Sequence, residues 1–154
     1  METAHRDRRP IQPSNNPTDV TDPLPAIWSS VVGSVGDIGC ARSELSAELR
    51  LVGCSHRLVD DVALIVTELA VNAFEHGRAG HVEVRADAGA DGTIEIRVSH
   101  REDLAGFDVA AVPVMAAADE LAGRGRAIVA GLATRFETDW VPPNRIEQLA
   151  VVAP

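Results

Sequence analysis

Glu68 and Asn72 stand four residues apart in the stretch Glu68, Leu69, Ala70, Val71, Asn72, Ala73, Phe74, Glu75, His76, Gly77. On a helix that spacing stacks a carboxylate and a carboxamide on one side, and His76 falls one turn further along it. Two hard oxygen donors one turn apart suit Mg²⁺; equally, the carboxylate can act as a general base beside a magnesium-binding amide, as phosphoryl transfer requires. Taken alone, the pair also suits the solvated face of an amphipathic helix. A second stretch, Gly123, Arg124 and Gly125, opens a helical pattern. Glycine lets backbone approach a ligand closely, and a helix N-terminus turns free N–H groups toward phosphate oxygens. Arg124 between the glycines either pairs with a phosphate oxygen or is solvated.

The helix carrying the first pair is the clearest element. From His56 to His76, Val59, Val62, Val66, Leu69 and Ala73 recur on one side of a 3.6-residue wheel, and Gly77 follows as a left-handed cap. Upstream, Ile38, Ala41, Leu45 and Leu49 predict a helix over 38–51 that stops at Gly53. Alternation of Val82, Val84 and Ala86, then of Ile94, Ile96 and Val98, predicts an antiparallel hairpin turned over Ala88 to Gly92. The segment from Asp108 to Leu121 is rich in Ala and Val without a clean period, and Gly123 to Gly125 breaks it. Arg126 to Leu132 resumes a short helix, and Arg135 to Trp140 with Arg145 to Val152 form a second strand pair, turned at Val141 to Asn144. A short apolar stretch from Leu24 to Val32 reads as a first strand. The order predicts an α+β fold: a two-layer sandwich with a mixed, mostly antiparallel sheet and helices on one face. Met1 to Asp22, with Pro10, Pro13 and Pro17 and no apolar period, reads as a flexible tail before one domain over 23–154.

Composition narrows the function classes. The formal charge of −9 opposes binding to nucleic acid, whose affinity comes largely from Lys and Arg neutralising phosphates, and is easier to match with a basic protein partner. Aromatic residues are only 3% of the chain, so stacking platforms for bases are missing and the core must be built from Val, Ile, Leu and Ala. No apolar run has the roughly 18–20 residues needed to cross a bilayer, and the polar start from Met1 to Arg9 reads as cytoplasmic. Cys40 and Cys54 read as reduced thiols packed as small hydrophobes. Together with His56, His76 and His81 they lack the paired short spacings of a zinc site. Ser99, His100 and Glu102 contain hydrolase residue types, but neighbours on one segment do not converge on a single substrate atom.

In this order, and separated by a hairpin, the two stretches resemble the nucleotide site of the Bergerat ATPases. That superfamily includes histidine kinases, type II topoisomerases and the serine kinases that act as bacterial anti-sigma factors. The resemblance covers roughly Leu24 to Val152, and the N-box motif E-x-x-x-N-x-x-x-H-G matches Glu68, Asn72, His76 and Gly77 without a gap. It implies that Asn72 helps hold Mg²⁺ against ATP, that Glu68 activates the attacking hydroxyl or water, and that Gly123 and Gly125 lie by the phosphates. The loop from Phe107 to Leu121 would be the ATP lid. One motif departs from the family. Where members carry D-x-G-x-G, with Asp accepting from the adenine amino group, this chain reads Ser99, His100, Arg101, Glu102, Asp103, Leu104, Ala105, Gly106. Counting from the strand aligns His100 with the Asp; counting back from Gly106 aligns Glu102, with Asp103 as a further acceptor. Stand-alone domains of this type are most similar to the anti-sigma kinases, so the resemblance implies sequestration of a sigma factor and phosphorylation of a STAS-type anti-anti-sigma protein, in a family whose members commonly dimerise. A non-catalytic binding module with an eroded nucleotide site, and a detached histidine-kinase catalytic domain, are the alternatives.

Overall fold

Ser55 starts the longest helix. Its carbonyl accepts the Val59 N–H at 3.0 Å as the first i→i−4 bond of the helix, and its hydroxyl accepts the Leu58 N–H at 3.3 Å, satisfying one of the N-terminal donors that lack a partner within the helix. In the computed structural model, which describes residues 25–75, 79–101 and 123–154, this helix covers His56–Glu75. The expected tail, Met1 to Asp22, and the expected lid, Phe107 to Leu121, lie outside the described residues.

In chain order the elements are β1 (Ala26–Val32), α1 (Ile38–Leu51), α2 (His56–Glu75), β2 (Val82–Ala88), β3 (Ile94–Arg101), α3 (Gly123–Leu132), β4 (Arg135–Val141) and β5 (Arg145–Val152). A single 3-10 turn over Val35–Asp37 leads into α1. The strands form one sheet in the order β1-β2-β3-β5-β4, and every pairing among them is antiparallel. The mostly antiparallel sheet expected from the alternating segments is thus antiparallel throughout the described strands.

Pleating decides which residues meet the helices. Val82, Val84 and Ala86 on β2 pair with His100, Val98 and Ile96 on β3, and these pair in turn with Ile146, Gln148 and Ala150 on β5. Since directly opposed residues share a face, this row set forms one surface, and α2 packs on it across β2, β3 and β5. The buried core is wholly Val, Ile, Leu and Ala, as the scarcity of aromatics predicts, while Trp28, Phe74 and Phe136 are partly buried at its margin. The opposite face is polar: Arg85 Nε donates to the Asp87 carboxylate at 2.8 and 2.9 Å, and Arg135 holds Glu137 at 2.7 Å.

Two local expectations are corrected. The third helix, expected to run from Arg126, covers Gly123–Leu132, so the glycines read as opening it form its described first turn. Cys40 is exposed, because Ile38, Ala41, Leu45 and Leu49 take the inward face of α1; its thiol donates to Glu44 at 3.5 Å, and that contact raises its pKa. Cys54 does pack at the edge of the core.

The end of α1 follows the Schellman pattern. Gly53 N–H donates to Arg50 O and Cys54 N–H to Leu49 O, each at 3.0 Å, with Gly53 at φ +85°. A Cβ there would meet nothing within 4 Å, so the cost of adding one is conformational and not steric. Gly53→Ala is therefore expected to lower the unfolding free energy by about 1 kcal/mol, read as a shift in urea midpoint at unchanged m-value.

Candidate functional site

α2 presents Glu68 and Asn72 on the flank beside its buried stripe, and both are half-buried. A fully solvated face is thereby excluded. For Glu68 the reason is α3, which packs against α2 and brings Gly125 to its side chain. A Cβ built on Gly125 would stand 2.6 Å from Glu68 Oε2, with the carboxyl carbon at 3.6 Å and the Glu68 Cβ at 3.7 Å. Glycine at this position is what lets the carboxylate seat on the first turn of α3. The two stretches singled out in the sequence thus meet in space, with a carboxylate of α2 directly against the backbone of Gly125. Arg124, on the same turn, is exposed, and the next arginine, Arg126, lies over the Phe136 ring at 5.9 Å.

At the end of β3 neighbouring residues have opposite surroundings. Ser99 points to the open face of the sheet, where its hydroxyl is 3.0 Å from an Arg145 guanidinium nitrogen and 3.4 Å from Glu83 Oε2. His100 points to the helix-facing side and is 6% exposed. The two side chains diverge, which removes the hydrolase-like reading. Burial lowers the pKa of His100, so the ring is held neutral. Among the described residues neither of its buried nitrogens has a hydrogen-bond partner, and nor have Gln148 Oε1 and Thr138 Oγ1. Register puts these groups on one surface: Val98, two residues before His100, pairs with Gln148, and Gln148 pairs with Thr138. A buried polar atom left without a partner costs about 1–3 kcal/mol, so this group of them is a candidate for meeting polar groups of a ligand.

Gln148 and Thr138 were not singled out from sequence. A signal for Gln148 exists, since it interrupts the apolar alternation Ile146, Ala150, Val152 on β5; its place beside His100 needed the cross-strand register. His76, Gly77, Glu102, Asp103 and Gly106 lie outside the described residues. Among the described residues no group of three or more His, Cys, Asp or Glu side chains could hold a metal ion. Glu68 and Asn72 nevertheless fit Mg²⁺ carried on a phosphate ligand, which takes only one or two protein oxygens.

A family model for the histidine kinase-like ATPase domain matches residues 34–145. The chain belongs to this family. The match runs from just before α1 into β5 and includes α2 and α3, so the histidine kinase-like ATPase domain contains both halves of the candidate site. A solved structure of the SiaB–SiaC complex from Pseudomonas aeruginosa has the same fold: TM-score 0.63 at 12% identity, covering 84% of this chain and 90% of that one. No curated protein matches the chain in sequence. Among the described residues no helix of the domain is long and apolar enough to cross a membrane.

Two outcomes follow for this ATPase domain. Gly125→Ala adds a methyl group where the Glu68 carboxylate lies while improving helix propensity by up to about 1 kcal/mol; thermal stability is expected to hold, and, on the role proposed for Glu68 below, nucleotide turnover to fall at least tenfold because the carboxylate is displaced. For His100 the sign of pH dependence is set by its lowered pKa. Above its unfolded value, near 6.5, both states are neutral and nothing changes; below it the unfolded chain takes up a proton that the folded chain refuses. Stability should therefore fall from about pH 6.5 downward, by at most ~1.4 kcal/mol per pH unit for this one group, until the lower folded pKa is reached. Urea titrations of wild type and His100→Gln across pH 7 to 5 check it, with the variant expected to lose less stability.

Proposed function

We propose that this domain is an ATP-binding anti-sigma regulatory factor that sequesters a sigma factor and phosphorylates a Ser or Thr of a STAS-type anti-anti-sigma antagonist. The observation that supports the reading is the seating of the Glu68 carboxylate against Gly125, which brings the acidic side chain to the glycine turn that this reading assigns to the phosphates. Membership of the histidine kinase-like ATPase family supports ATP as the nucleotide. The structural relative was solved in complex with SiaC, which supports a role exercised on a protein partner. The net charge of −9 suits a basic sigma-factor patch and argues against direct contact with nucleic acid.

In this reading Asn72 supplies an amide oxygen to Mg²⁺, which neutralises charge on the phosphates when bound. Gly123 and Gly125 let the backbone approach the phosphates, with Arg124 in position to pair with one of their oxygens. In sequence His76 and Gly77 complete the N-box motif begun by Glu68 and Asn72, and Glu102, Asp103 and Gly106 follow His100 in the stretch aligned with the base-binding motif. Glu68 takes the proton from the antagonist's hydroxyl as that oxygen bonds to the γ-phosphorus. The bond from phosphorus to the β,γ-bridging oxygen breaks, and ADP leaves with the electron pair. The base lies toward His100.

Thermal-shift titration with Mg·ATP tests the assignment. Ligand at about 100 times its Kd stabilises by roughly 2.7 kcal/mol, and Asn72→Ala is expected to lose most of that shift. Glu68→Gln is expected to keep the shift and to lose transfer of label to a STAS-domain substrate. The phosphate on that substrate should be acid-stable; acid-labile phosphohistidine would instead assign the domain to the detached histidine-kinase group. No shift in wild type up to millimolar ATP would assign it to the non-catalytic binding modules.

A further inference from the structure

On β3 and β5 the helix-facing row holds two polar side chains, His100 and Gln148, among Ile94, Ile96, Val98, Ile146, Ala150 and Val152. His100 is 6% exposed and Gln148 4% exposed, and they stand on adjacent strands as diagonal neighbours, His100 pairing with Ile146 two residues before Gln148. Such positions are about 7–8 Å apart, close enough for both side chains to meet one planar ring. Both imidazole nitrogens and Gln148 Oε1 are buried without a hydrogen-bond partner among the described residues, and the next strand adds the hydroxyl of Thr138, likewise unpartnered, opposite Gln148. α2 lies over the same strands, so this polar surface is under the helix that carries Glu68 and Asn72.

We propose that His100 and Gln148 read the base of the bound nucleotide, and that they accept a 6-oxopurine as readily as a 6-aminopurine. The proposal rests on the nucleotide reading above and specifies its substrate class. A 6-aminopurine presents an amino donor beside the N1 acceptor; a 6-oxopurine presents the inverse, a carbonyl acceptor beside an N1–H donor. A carboxylate only accepts, so facing position 6 it rewards the amino group and repels the carbonyl. A neutral imidazole has one donor and one acceptor nitrogen, and changing tautomer exchanges them; a carboxamide exchanges its oxygen and nitrogen by a half-turn about its last bond. Burial keeps the His100 ring neutral and preserves its lone pair. His100 and Gln148 therefore complement either edge, and no fixed charge in this pair rejects the oxo group.

Calorimetric titration of the full chain with Mg·ATP and, separately, Mg·ITP tests this, because the two nucleotides differ only at the edge in question. The expected result is a pair of Kd values within about fivefold of one another. His100→Asp leaves only acceptors at that position and is expected to move the ratio at least tenfold toward ATP. A wild-type preference for ATP greater than about fivefold overturns the proposal, with or without a folded variant. An unchanged ratio in folded His100→Asp overturns it as well. Binding of neither nucleotide up to millimolar concentration overturns the nucleotide reading itself, an outcome distinct from a wild type that binds ATP alone.

Discussion

The rotation of α2 about its own axis is the constraint on which the candidate site depends. Leu58, Val59, Val62, Ile65, Val66, Leu69, Ala70 and Ala73 are all buried, and the helix is held by α1, by α3 and by the three central strands at once. Fully burying each Val, Leu or Ile contributes about 1.5–3 kcal/mol, whereas a helix of this length alone in water is only marginally stable. Packing therefore fixes the rotation far more strongly than propensity does. Turning α2 by one residue, about 100°, would expose part of that stripe and carry Glu68 away from Gly125. The acidic and amide side chains owe their position to the aliphatic face beside them.

The sheet applies the same logic with a period of two. Alternation on β3 directs Ile94, Ile96, Val98 and His100 toward the helices, and Ser99 toward the charged face with Glu83 and Arg145. A histidine at the end of an aliphatic row breaks local consistency, and so does Gln148 in the row beside it. Proteins tend to carry such violations where function requires them, because an apolar residue of similar size would avoid the cost of an unpaired polar atom. Glu68 against Gly125 is a related case, since glycine inside a helix lowers its stability and is retained here where a Cβ would strike a carboxylate.

Much of the architecture was readable along the chain because it rests on local periodicity. The stripes Ile38, Ala41, Leu45, Leu49 and Val59, Val62, Val66, Leu69, Ala73 marked α1 and α2 with nearly their observed bounds, and alternation marked both strand pairs. The extent of α3 was read less well: two glycines are poor helix formers on propensity, and only packing against α2 explains why the helix includes them. Glu68, Asn72 and the glycine pair could be named as candidates from residue type and spacing. Their meeting could not, since no spacing along the chain encodes the approach of α3 to α2. Gln148 and Thr138 stayed hidden for the same reason. Their neighbourhood with His100 is set by hydrogen-bonded register between strands distant in sequence, which forms only when helices and sheet close on a common core.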